Sequence, residues 1–291
     1  MRASNQLSAI TDELGQDVDE VLGLLEPFGV THVELRTVWG KNVALLDDGE
    51  VDRLKASLDA HGMGVSVVAG PVFKCFLPWS RLATTRKPNF TRNPTYNASL
   101  VDRVLEVADA LDSDRVRAFS FFKGLARRDR EREWNYLVDQ VTRYVDAAKA
   151  RGKTVVLENE GVCLVDTIEA CLRLADDVGD DHLKFVCDPG NFFMAGHNYS
   201  PDEYEALVPH TGHMHVKDPK RKLPFAAVFG VVGEGKVDYR GIFQKYQEAG
   251  YRGFYSLETH SPRRAKRRAV SLESLKNIAA MLAEVAVGPR D

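Results

Sequence analysis

Eight times along its length the chain passes from a short apolar run to a segment whose apolar residues recur with helical spacing. The runs fall at 6–10, 32–35, 65–69, 116–119, 154–157, 183–186, 213–216 and 255–257. Short runs bounded by glycine suit buried strands, whereas a series such as Val101, Val104, Leu105, Ala108 and Leu111 lays one apolar stripe along a helix. Gly29, Gly62, Gly152 and Gly250 stand where the chain returns towards the sheet. Eight strand–helix units with no break in composition predict an α/β fold, a single closed parallel (β/α)8 TIM barrel domain over 1–291. An open doubly wound sheet is disfavoured. The first strand leads into TDELGQDVDE, and neither GxGxxG nor GxxxxGK[ST] occurs anywhere.

Composition narrows the setting. With 39 Lys plus Arg against 42 Asp plus Glu, the chain carries a formal charge of -3, which argues against bulk attraction to nucleic acid or anionic lipid. No apolar run approaches the ~18 residues of a membrane span. The N-terminal MRASNQLSAI lacks the apolar centre of a secretory signal, and the four cysteines form no CxxC pair. A reducing cytoplasm is the expected location. Cys75 is the thiol to watch, because it falls in a predicted loop.

Two connections, 71–94 and 218–236, are too long for simple turns. Both come after strands, so in a barrel both lie over the C-terminal face, where catalysis is placed. Their aromatic residues, Phe73, Phe76, Trp79 and Phe90 in the first and Phe225 and Phe229 in the second, argue against pure disorder. Trp39, Phe73 and Trp79 either stack on a substrate face or pack beneath a loop.

The ionisable residues at strand ends carry the chemistry. The fifth strand runs into Glu158-Asn159-Glu160, the sixth into Asp188, the seventh reads His213-Met214-His215-Val216-Lys217, and the eighth ends in Glu258-Thr259-His260. Period-two alternation puts His213, His215 and Lys217 on one face, and Glu258 with His260 on one face. Three carboxylates at one barrel mouth repel strongly unless one is protonated, a Lys or Arg pairs with them, or a divalent cation binds. Oxygen ligands with an imidazole suit Mn²⁺ or Mg²⁺, with Co²⁺, Zn²⁺ and Fe²⁺ also compatible.

The segments VVLENE, VCDPGN, HMHVKD, GEGKVDY and SLETH together resemble the sugar phosphate isomerase/epimerase superfamily, the xylose isomerase-like TIM barrel. The resemblance runs from GVTHVELR to GYRGFYSLETH. It implies that Glu158, Asp188, His215 and Glu258 hold one divalent metal, commonly Mn²⁺, and that Arg221 in HVKDPKRKLP grips the substrate. Two positions depart from the superfamily's epimerases. Asn191 and Glu160 stand where many relatives carry histidine. The resemblance also implies a mechanism in which Glu158 and Glu258 serve as the acid/base pair on either side of a metal-bound enediolate.

The remaining polar residues divide. Lys217 neutralises the carboxylates or contacts substrate, or else pairs with Asp218 or Glu160. His213 is a barrel-core histidine, and His260 supports the site or binds substrate. Glu34 and Arg36, on one face of the second strand, pair with each other or line the pocket. Asn191 bonds a substrate hydroxyl or shapes the Pro-Gly-Asn turn. The basic run at 263–268 reads as a solvated or subunit-facing surface rather than a nucleic-acid contact, with a handle for a substrate phosphate also compatible because it closely follows Glu258 and His260. Three functions are compatible with these residues. The first is a sugar isomerase or epimerase working by proton transfer. The second is a lyase that expels a β-substituent from 3-keto glycosides or inosose-type rings. The third is a binding barrel with a vestigial site. The expected partner is a small-molecule sugar, with a homo-oligomer or a small partner subunit compatible with the family.

Overall fold

A computed structural model describes residues 6–84, 88–124, 129–223, 226–261 and 264–287. Eight parallel strands form its centre: β1 (Leu7–Ala9), β2 (His32–Leu35), β3 (Gly64–Val72), β4 (Arg115–Ala118), β5 (Thr154–Glu158), β6 (Leu183–Cys187), β7 (Thr211–Val216) and β8 (Tyr255–Leu257). Each pairs with its neighbours in sequence, β8 pairs with β1, and a bridge between Ile10 and Glu34 brings β1 to β2 and closes the ring. The predicted (β/α)8 barrel is what forms.

The strands lie within three residues of their predicted bounds at every edge. The largest extension is β3, which continues through Pro71 to Val72 and pairs there with Ala118 of β4. Helices α1 (Val18–Leu25), α2 (Asp48–Ala60), α3 (Pro94–Ala98), α4 (Leu100–Ala110), α5 (Arg130–Lys149), α6 (Ile168–Val178), α7 (Pro189–Ala195), α8 (Tyr239–Glu248) and α9 (Arg264–Val287) surround them. Sequence determines their ends. Asp47 and Glu50 form a reciprocal capping box at α2, and Gly179 closes α6 in the left-handed region at φ 63°. The full helix expected after β6 is absent. Gly196 ends α7 after seven residues, and Pro201 and Pro209 restrict the chain leading to β7 to a 3-10 stretch, Pro201–His210.

Apolar packing separates two layers. Val33, Leu35, Val116, Val155, Leu157 and Phe185 face the helices, whereas Val67, Ala69, Val156 and Val186 form a small cluster apart from that layer, on the opposite strand faces. The connection predicted as a long loop over 218–236 contains an antiparallel hairpin, Asp218–Leu223 with Ala226–Gly230. Asp218 accepts backbone N–H bonds from Gly233, Gly235, Lys236 and Val237, which ties the hairpin's exit to the end of β7. Any side chain at Gly235 would collide with that carboxylate, since a Cβ there would lie 1.9 Å from Asp218 Oδ1.

Cys75 is fully buried, and burial pushes its thiol up to about 12, so it is no nucleophile at neutral pH. Phe73 packs on Phe121 and Tyr144 in the core, and Trp79 on Tyr136 and Arg132; neither lines the cavity at the barrel mouth. Trp39 lies against Arg53. Among the described residues, no helix is long and apolar enough to cross a membrane.

Candidate functional site

The ends of β5 to β8 bring four side chains together. Ligand atoms of Glu158, Asp188, His215 and Glu258 all lie within 4.8 Å of one another, and all four residues are buried. Local structure aims each one. Asp188 is the N-cap of α7, and its Oδ1 accepts the Asn191 backbone N–H at 2.8 Å, which leaves Oδ2 directed at the centre. Asn159 locks that corner to β5: its Nδ2 donates to Asp188 O and its Oδ1 accepts from Asp188 N. Glu158 accepts from Arg117 Nη1 at 3.1 Å and from Asn191 Nδ2 at 3.2 Å. Glu258 accepts from Arg36 Nη1 at 2.7 Å and Lys217 Nζ at 2.5 Å.

His215 completes the arrangement. Its Nδ1 faces Glu158 Oε1 at 3.7 Å, Asp188 Oδ2 at 3.7 Å and Glu258 Oε2 at 3.6 Å, too far for hydrogen bonds. Among the described residues this buried nitrogen has no hydrogen-bond partner, and neither does Asp188 Oδ2, although Lys217 Nζ pairs with that oxygen electrostatically at 2.7 Å. A buried imidazole nitrogen surrounded by three carboxylate oxygens at nearly equal range fits a small divalent cation.

The electrostatics are those of a crowded acidic centre. Burial pushes Glu158 up, but His215 and Arg117 outweigh it and hold the carboxyl down at about 2. Burial likewise opposes ionisation of Glu258, and Lys217 with His260 pulls it well below the usual carboxylate range. Burial works against the charged form of His215, yet Glu34 and Glu158 hold its proton well above the ordinary imidazole value. A proton and a cation would therefore compete for this site.

The other expected residues sort clearly. Lys217 bonds Asp188 and Glu258 rather than Asp218 or Glu160. Tyr239 fixes its backbone, donating to Lys217 O and accepting from Lys217 N, and Gly190 leaves room for it, since a Cβ there would come within 2.7 Å of Lys217 Cγ. Glu160 pairs with Lys74 at 3.1 Å. His260 is half-exposed, with Nδ1 3.2 Å from Glu258 Oε1 and its ring against Phe229. Asn191 holds Glu158 and the Asn159 carbonyl, its polar capacity turned towards protein. Glu34 and Arg36 do not pair with each other. Glu34 receives His213 and His215, and Arg36 bridges Asp12, Glu13 and Glu258. Arg36 thereby occupies the midst of a second acidic group, Glu13, Glu258 and His260. Phe225, and the side chains of Arg221 and of residues 263–265, lie outside the described residues. Within the basic run, Arg268 pairs with Glu20 at 2.5 Å and Arg267 stands 3.5 Å from Glu13.

A cavity of about 280 Å³ opens over the centre, and Glu158, Glu258, Lys217, Arg36, His260 and Phe229 are among the residues lining it. That size suits one sugar ring. Arg117 and Lys74 also line it, and sequence reasoning passed over both. For Arg117 a signal existed: a charge between Val116 and Ala118 on a barrel strand points inward and needs a buried partner. For Lys74, set in a loop, spacing offered none.

Known proteins agree with this architecture. The model of the family described as the xylose isomerase-like TIM barrel matches residues 22–281. The inosose dehydratase of Geobacillus thermodenitrificans (strain NG80-2) is 27% identical over 145 residues, covering 44% of this chain and 47% of that relative. The match thus spans about half the length of the curated relative. Among solved structures, the IOLI protein with a bound zinc atom superposes with a TM-score of 0.78 at 18% identity, over 96% of this chain and 99% of that one. The 3-keto-D-glucoside 4-epimerase of E. coli gives 0.70 at 14% identity, over 94% and 99%. At such identities these two structures speak for the fold.

Proposed function

This chain belongs to the xylose isomerase-like TIM barrel family, and on that premise we propose that it is a divalent-metal-dependent lyase removing a β-substituent from a cyclic polyhydroxy ketone. The observation that carries the metal is the partnerless His215 Nδ1 facing three carboxylates. Similarity to inosose dehydratases favours elimination over isomerisation. Glu158, Asp188, His215 and Glu258 would hold the ion, with Mn²⁺ the first candidate among Mg²⁺, Co²⁺ and Zn²⁺. When bound, such an ion supplies Lewis acidity towards a carbonyl and its neighbouring hydroxyl.

The chain's own groups do the rest. Glu158, ionised at neutral pH, takes the proton from the carbon beside the carbonyl. The released electron pair forms the carbon–carbon double bond as the β-carbon–oxygen bond breaks. His260, at the pocket mouth and 3.2 Å from Glu258, gives a proton to the leaving oxygen, so a hydroxyl departs as water. Lys217 and Arg36 hold Glu258 ionised throughout. The aromatic ring of Phe229 offers an apolar wall to one sugar face.

An epimerase is the second reading. Carboxylates from β5 and β8 flank one centre, so Glu258 returning a proton to the opposite face would invert the carbon instead. Incubation in D₂O with Mn²⁺ and a panel of inososes, 3-keto glycosides and ketoses separates them by mass spectrometry and NMR. Loss of water or of an aglycone supports the lyase. Deuterium at a carbon without loss of mass supports the epimerase, and no turnover of any compound by the Mn²⁺-loaded protein contradicts both.

A further inference from the structure

Beneath the centre lies a carboxylate that touches no pocket surface. Glu34 of β2 is fully buried and receives polar groups from across the barrel. His215 Nε2 lies 3.0 Å from both of its oxygens, His213 Nε2 lies 3.0 Å from Oε2, and Ser256 Oγ donates to Oε2 at 2.8 Å. Arg117 Nη1 stands 3.7 Å from Oε1 while bonding Glu158 at 3.1 Å. A carboxylate of this kind only accepts, so the imidazole nitrogen facing it must carry its proton. That assignment leaves Nδ1 of the neutral His215 ring as the lone-pair nitrogen, and Nδ1 is the one turned to Glu158, Asp188 and Glu258.

We infer that Glu34 is the positioning residue of the centre, fixing which nitrogen of His215 faces the cation and, through Arg117, the orientation of Glu158. The inference rests on the metal reading above and assigns Glu34 away from substrate. Its geometry is that of an outer carboxylate orienting a metal-binding histidine, whose loss typically weakens metal affinity about 10–100-fold. Glutamine is the informative replacement. The amide presents one acceptor and one donor where two acceptors stood, so one imidazole loses its partner or reverses its tautomer.

Two measurements test it. Calorimetric titration of metal-stripped protein with Mn²⁺ should show Glu34→Gln binding about 10–100-fold more weakly than wild type, with circular dichroism unchanged. Long-range ¹H–¹⁵N spectra of the Zn²⁺-loaded wild type should show Nδ1 of His215 perturbed by the metal and Nε2 carrying a slowly exchanging proton. Wild-type Mn²⁺ affinity in a folded Glu34→Gln, or zinc on Nε2, would overturn the inference. If that variant does not fold, the wild-type spectrum decides alone. Failure of the wild type to bind Mn²⁺ or Zn²⁺ removes the metal reading itself, an outcome distinct from an intact site indifferent to residue 34.

Discussion

The two halves of the barrel rim contribute different chemistry. Strands β5 to β8 end in the four groups whose ligand atoms converge, Glu158, Asp188, His215 and Glu258. The β1–β4 half supplies a frame instead: Arg36 after β2 binds Glu258, Arg117 on β4 binds Glu158, and Glu34 on β2 binds His215. Acidic side chains within 4.8 Å of one another are tolerable because cations hold them, Arg36 and Arg117 from the opposite half and Lys217 from β7. One half presents the converging atoms, and the other shares with Asn159, Asn191 and Lys217 the task of fixing where they point.

Substitutions separate these roles, and the largest effect belongs to the reactive half. Glu158→Gln keeps shape but removes the proposed base, and should lower kcat by about 10²–10⁴-fold in a deuterium-exchange assay. An undiminished rate would erase the distinction. In the supporting half, Arg117→Met removes the cation bonded to buried Glu158, and should cost about 3–5 kcal/mol of stability in denaturant titration. A loss near zero would mean that the frame holds nothing. Saturating metal should link the halves: Mn²⁺ at 100 times its Kd adds about 2.7 kcal/mol to unfolding, and chelation removes it.

Acidity sharpens the same contrast. The depressed Glu158 carboxyl contributes stability that is whole above its ordinary 4.5 and is lost as pH falls from there towards about 2. His215 is raised, so its contribution in metal-free protein is whole below the ordinary 6.5 and is lost as pH climbs through the raised value. Because that proton must leave before a cation binds, Mn²⁺ affinity should increase with pH across the neutral range and beyond, measured by titration at fixed ionic strength. The smallest effect is expected at the rim. Lys74→Met breaks a partly exposed pair with Glu160 and should change stability by less than about 1 kcal/mol.

Sequence legibility divides along the same line. The eight strands and the ionisable rim emerge from local patterns, since apolar runs mark strands and a charge at a strand's C-terminal end marks the catalytic face. Which four of those rim residues converge is implied by the family resemblance. The frame is harder to read because its meaning depends on a partner across the barrel. Arg36 and Glu34 share a face of β2, which suggests a mutual pair, yet closure of the ring gives each a nearer partner on β7 or after β8. Arg117 is invisible to a count of apolar residues. The shortened helix after β6 and the hairpin after β7 depend on prolines, and on the four backbone N–H groups gathered by Asp218, that act only once the chain has turned.

The most direct measurement is anomalous diffraction from crystals of the wild-type protein grown with Mn²⁺. The arrangement predicts one strong peak bonded to His215 Nδ1 and to oxygens of Glu158, Asp188 and Glu258. A peak elsewhere, or none at that position with Lys217 still spanning Asp188 and Glu258, would contradict it.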